Sequence, residues 1–111
     1  MDLLKSVKDA AHALDQKFGK RIVVLDIRAI STIADYFVIT EASNPNQVQA
    51  MVSGVEEAMH KNGLNLRHTE GMHGDWVLMD FNDILVHIFN EESRNFYDLE
   101  RTWRDAIEVS L

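Results

Sequence analysis

Cysteine is absent from this chain. That excludes disulfides, a thiolate metal site and a cysteine nucleophile, and it fits a reducing, cytoplasmic setting. One proline and five glycines in 111 residues leave no room for long linkers, and the length holds one domain, 1–111, with a single principal core. No stretch approaches the roughly 20 apolar residues that span a bilayer. The N-terminal segment carries Asp2 and Asp9 and no continuous apolar run, so it does not read as a signal peptide. Positive charge is also scarce. The net charge is −7, and only Lys17, Lys20 and Arg21 approach a basic cluster, so direct nucleic-acid binding is not expected. No phosphate loop, dinucleotide fingerprint, nucleophile elbow, His-Glu-x-x-His or Asp-x-Asp pair occurs, and nothing arranges nucleophile, base and orienter.

What the chain does have is concentrated between Glu70 and Trp103, which hold both tryptophans and one of the two tyrosines. Up to Arg67 there are 8 acidic and 8 basic residues; from His68 onward there are 10 acidic and 3 basic, and 3 − 10 = −7. An acidic, aromatic-bearing surface is suited to a basic protein partner.

Periodicity places the elements. Leu4, Val7, Ala11, Leu14 and Phe18 recur at helical spacing, with Gly19 as the expected stop. Ile22 to Ile27 and Asp35 to Thr40 read as strands, the second apolar enough to be central. Asn44 caps a second helix that starts at Pro45, carries Val48, Met51, Val52, Val55 and Met59, and ends at Gly63. Leu64 to His68 is a weak strand, and Glu70 to Gly74 is a loop. Trp76–Asp80 and Asp83–Phe89 form a hairpin around Phe81-Asn82. Asn90 or Ser93 then opens a final helix with apolar positions Phe96, Leu99, Trp103 and Ile107. On that helix Arg94 is expected to pair with Asp98, and Glu100 with Arg104. The result is an α/β, two-layer domain of order α-β-β-α-β-β-β-α, with a mixed five-stranded sheet.

A two-residue hairpin loop would set Trp76 opposite His87, Leu78 opposite Leu85 and Asp80 opposite Asp83. One face is then wholly apolar: Val77, Met79, Ile84, Val86 and Ile88. The other carries Trp76, Leu78, Leu85, His87 and Phe89 flanked by Asp80 and Asp83, aromatic at the centre and acidic at the rim, as interfaces are. The competing reading is that a helix covers this face and Trp76 is a core residue with a satisfied indole N–H. His87 reads as a hydrogen-bonded structural residue more readily than as a ligand or base. His68, His73 and His87 match no zinc spacing. Asp75, Asp80 and Asp83 are candidate ligands for a magnesium ion in phosphoryl transfer; the competing reading makes Asp80 and Asp83 simple turn residues.

The residues just reached carry a resemblance. Asp35-Tyr36-Phe37-Val38-Ile39, Gln47-Val48, Glu70-Gly71, Trp76, Asp80, Asp83, Val86-His87-Ile88-Phe89, Glu92, Arg94, Phe96-Tyr97, Leu99-Glu100 and Trp103-Arg104-Asp105-Ala106 resemble, in order and spacing, the ribosomal silencing factor family, RsfS or Iojap-related. The chain departs from that pattern at Asn46, at Phe81-Asn82 and at Thr102. The resemblance implies a nucleotidyltransferase-like core without its catalytic residues, no cofactor and no enzymatic activity. It also implies a cytoplasmic repressor of translation that binds the large ribosomal subunit through the basic ribosomal protein L-fourteen and blocks subunit joining when nutrients are short. Family members are dimers, so a homodimer is also implied. The expected contact face is Trp76, Asp80, Asp83 and His87, extended by Glu70, Asp75, Tyr97 and Glu100. Two rivals are a magnesium-dependent nucleotidyltransferase-type enzyme and an acidic adaptor for another basic protein.

Overall fold

The computed structural model describes residues 3–111; Asp2, one of the acids weighed above, lies outside them. Helix α1, Leu3–Gln16, buries Val7, Ala10, Ala11 and Leu14 along one stripe. Its end differs from expectation. Phe18, not Gly19, takes the left-handed conformation, φ 65°. The Phe18 N–H donates to the Asp15 carbonyl at 3.0 Å and the Gly19 N–H to the Leu14 carbonyl at 2.9 Å, the two bonds of a Schellman closure. Gly19 serves close approach instead: a Cβ there would lie 2.8 Å from Thr40 Oγ1.

Helix α2, Pro45–Lys61, starts and stops as its residues direct. Asn44 Oδ1 accepts from the Gln47 N–H at 2.9 Å, and Gly63 closes the far end at φ 78°. The Gln47 side chain then ties the two helices together. Its Nε2 donates to the Lys17 and Phe18 carbonyls, each at 3.0 Å, and satisfies acceptors that the end of α1 leaves free.

The strands are β1 Lys20–Asp26, β2 Tyr36–Glu41, β3 His68–Glu70, β4 Trp76–Asp80, β5 Ile84–Phe89 and β6 Ile107–Glu108. They form one mixed sheet of six strands, ordered β3-β4-β5-β2-β1-β6. Strands β2 and β5 are parallel and the other neighbours antiparallel. Every residue of β2 is buried, as its apolar run predicts for a central strand. The α/β class with a mixed sheet therefore holds, and among the described residues the strand count rises from five to six. The third strand begins at His68 and not at Leu64.

The added strand comes from the expected last helix. That segment is broken at Asp98, φ 46°, into α3, Glu91–Tyr97, and α4, Leu99–Thr102. Aspartate is among the few residues that visit this conformation readily. The break turns the chain back so that Ile107 pairs with Asp26 and Glu108 with Leu25. The stripe expected along one helix is therefore split. Phe96 is 79% exposed and Ile107 65% exposed, while Leu99 and Trp103 pack inward.

The sheet is covered on both sides. Helices α1 and α2 cover one face, over Val24, Val38, Val77, Met79, Ile84, Val86 and Ile88. The C-terminal segment covers the central part of the other, over Leu25, Phe37, Ile39 and Phe89. The two-layer expectation is thus extended by a partial third layer, made by the short helices after β5.

Candidate functional site

The hairpin carries the site. Its register is Trp76 with Phe89, Leu78 with His87 and Asp80 with Leu85, a shift of two residues from expectation. The loop takes in Asp83, and Asn82 sits at φ 75°. Side chains alternate with a period of two, so an even shift leaves both faces as read. Val77, Met79, Ile84, Val86 and Ile88 are all buried. The opposite face holds Trp76, Leu78, Asp80, Leu85, His87 and Phe89, joined by His68 and Glu70 of β3, which pair with Asp80 and Leu78.

Trp76 lies half-buried at the start of β4, at the end of this face away from the hairpin loop. Its indole N–H donates to His87 Nδ1 at 3.1 Å. Its ring lies 4.9 Å from Phe89 and 4.7 Å from Tyr97, centroid to centroid. The turn before β4 fixes where the strand begins. Gly71 takes φ 72°, and a Cβ there would sit 2.2 Å from the Trp76 carbonyl oxygen, so only glycine is accommodated beside the tryptophan.

His87 is 4% exposed and lies edge-on to Phe37 at 4.7 Å. Burial pushes its pKa from 6.5 down to about 4, because an imidazolium there would lose its water. The ring is neutral near pH 7. Since Nδ1 accepts, Nε2 carries the hydrogen, and among the described residues Nε2 has no partner. His87 therefore sits beneath the face and orients Trp76 from below.

The other expected residues divide. Tyr97, 47% exposed, joins Trp76 directly. Asp75 is exposed next to it and accepts from Asn90 Nδ2 at 2.9 Å. Glu70 is exposed at the sheet edge, with Oε1 3.3 Å from His68 Nε2. Asp80 and Asp83 lie at the far end of the hairpin, about 13 Å along the strand from Trp76. There Asp80 Oδ1 accepts the Asn82 N–H at 2.7 Å, an ordinary turn role. Asp75 is thus separated from Asp80 and Asp83, and the three carboxylates do not converge. Among the described residues no group of three or more His, Asp or Glu is placed to hold a metal ion. A cleft of about 360 Å³ opens beside Ala42, Val48, Met72, Asp75 and Asn90, with Asp75 as its one carboxylate.

Glu100 does not pair with Arg104, nor Arg94 with Asp98. Arg94, 2% exposed, reaches Glu41 Oε1 at 3.5 Å, Glu100 Oε2 at 3.1 Å and the Lys20 carbonyl at 3.2 Å. Arg21 also pairs with Glu41. This network pins α3 and α4 to the sheet and so holds Tyr97 against Trp76. Sequence reasoning missed it; the available signal was Glu41, an acid closing a strand that is otherwise apolar and buried. Phe96 was also missed as a surface residue, because it was placed on a continuous helix.

Comparisons with known proteins give the chain's family and agree with its fold. The family model described as "Ribosomal silencing factor during starvation", RsfS, matches residues 1–111. The chain is 39% identical over 101 residues to the ribosomal silencing factor RsfS of Bacillus subtilis, covering 90% of this chain and 86% of that protein. A crystal structure of a Chromobacterium violaceum protein superposes with a TM-score of 0.87 at 29% identity, covering 93% of this chain and 87% of that one. One from Bacillus halodurans superposes with a TM-score of 0.82 at 30% identity, covering 97% and 99%. With the fold and the sequence matched over nearly its whole length, this chain belongs to the RsfS family of ribosomal silencing factors.

Proposed function

We propose that this chain silences translation in the cytoplasm by docking on the large ribosomal subunit, through the basic ribosomal protein L-fourteen, and excluding the small subunit by bulk. Its chemistry is recognition, not catalysis. The observation that carries the reading is the half-buried Trp76, packed on Tyr97 and tied to His87, in the part of the chain that holds the whole net negative charge. Aromatic anchors in a polar rim are where binding energy concentrates. Asp75 and Glu70 supply acids near that anchor and Asp80 and Asp83 at the far end of the hairpin, and a basic protein on an RNA-rich particle is the surface that attracts them. Phe96 extends the apolar area beside Tyr97, and His87 and Glu100 hold the face in shape. The proposal includes a homodimer, as the family resemblance implies.

The test is subunit joining. Purified small and large subunits are mixed with rising amounts of the protein and resolved on a sucrose gradient. The 70S peak is expected to fall as protein is added, with the protein travelling with 50S and not 30S. Undiminished 70S formation with the protein in excess would overturn the reading.

A further inference from the structure

The turn that joins α1 to β1 reads Lys17-Phe18-Gly19-Lys20-Arg21 and reaches the network that supports the Trp76 face only through Arg21 and the Lys20 carbonyl. Phe18 is 82% exposed, so its ring stabilises nothing by burial. It also occupies the left-handed position of the Schellman closure at φ 65°, where glycine is favoured and a bulky side chain is strained. Arg21 is left-handed as well, φ 47°. The strain is held in place by Gln47 Nε2, bonded to the carbonyls of Lys17 and Phe18. The turn is therefore a rigid mount for a fully presented aromatic ring, at a conformational cost that the fold itself does not recover.

The surroundings state what chemistry the ring faces. Lys17 and Lys20 are exposed, and among the described residues neither pairs with a carboxylate. Arg21 is half-exposed and its charge is shared with Glu41. Asp15 is the one exposed acid in the turn's immediate sequence. An exposed aromatic between cations is the pattern that takes single-stranded nucleic acid: the ring stacks on a base while the cations neutralise the flanking phosphates. We infer that this turn is a second contact site, for unpaired RNA. The rest of the chain is acidic, so the site is too weak to recruit RNA by itself at physiological salt. It acts once the Trp76 face has docked, which makes its setting, though not its chemistry, rest on the proposed function.

Phe18→Gly separates binding from folding, because glycine relieves the strained position while removing the ring. The thermal midpoint is expected to rise by about 4 °C. Affinity for a short labelled oligouridine, measured by fluorescence anisotropy at low salt, is expected to fall at least about fivefold. Lys17→Glu with Lys20→Glu is expected to weaken binding further and to flatten its salt dependence by roughly 0.7 in log–log slope per lysine. Oligouridine affinity unchanged in Phe18→Gly, or no oligouridine binding by the wild-type chain, would overturn the inference. On the large subunit, a photoreactive benzoylphenylalanine at position 18 is expected to cross-link to ribosomal RNA. Cross-linking to ribosomal protein alone would overturn the RNA assignment while leaving large-subunit docking intact. If the wild-type chain does not bind large subunits, docking fails and the oligouridine measurement alone decides the turn.

Discussion

Arg94→Met is expected to cost about 3 kcal/mol of stability and to lower the thermal midpoint by about 12 °C. The guanidinium lies between two carboxylates and a carbonyl with almost no water to replace it. Breaking a buried pair costs more than the pair contributes, because the remaining charge is left desolvated. Here Glu41, itself 4% exposed, keeps Arg21, and Glu100 is open enough to find solvent, so the cost falls at the low end of the usual range. Methionine preserves much of the volume, so the loss reports charge and hydrogen bonding more than a cavity. A second readout follows from geometry. Arg94 anchors α3, and α3 carries Tyr97, so the fluorescence of Trp76 is expected to shift even under conditions where the variant stays folded. A melting curve within about 2 °C of the wild type, with unchanged emission, would show that the network is incidental.

Mild acid is expected to destabilise the protein by about 3 kcal/mol through His87 alone. The folded pKa is about 4 and the ordinary value is 6.5, so as pH falls the unfolded chain takes up the proton first. The neutral ring's contribution is complete above pH 6.5, is lost progressively between 6.5 and 4, and is gone below 4. A protonated Nδ1 also cannot accept the Trp76 indole hydrogen, so the anchor loosens in the same range. Asp9 and Asp26 are held below the usual carboxylate range, mainly by hydrogen bonds from Lys5 and from Arg28. Their contributions are present above about pH 4 and vanish only below it, outside this window. Urea unfolding of wild type and His87→Gln across pH 7 to 4.5 isolates the effect, since glutamine can still accept the indole N–H but does not titrate there. The stability gap between the two is expected to shift by about 2 kcal/mol toward the variant over that range. A gap independent of pH would mean that His87 is not neutral and buried as described.

The hairpin faces were legible because they depend only on alternation, and the two-residue register error left alternation untouched. The ends of α2 were legible because Asn44, Pro45 and Gly63 each have a local reason to stand where they do. The end of α1 was not: its strained position is filled by Phe18, a residue that local preference argues against, and the reason lies outside the fold. The split of the last helix was hidden for a similar cause. Phe96, Leu99, Trp103 and Ile107 fit a helical stripe, and one left-handed residue, Asp98, cancels it. The sixth strand followed from that break and left no signal of its own in two residues. Burial of His87 could not be read from its strand either, because Phe37 of β2 packs against it and is itself backed by Trp103 of the C-terminal segment.

The most direct measurement is co-sedimentation of Trp76→Ala with purified large subunits, after circular dichroism has established that the variant is folded. Wild-type protein is expected to pellet with the particles, and the variant to bind at least about 30-fold more weakly, the loss of about 2 kcal/mol that removal of a central aromatic anchor entails. A folded Trp76→Ala protein that binds large subunits as tightly as the wild type would contradict the assignment of this face.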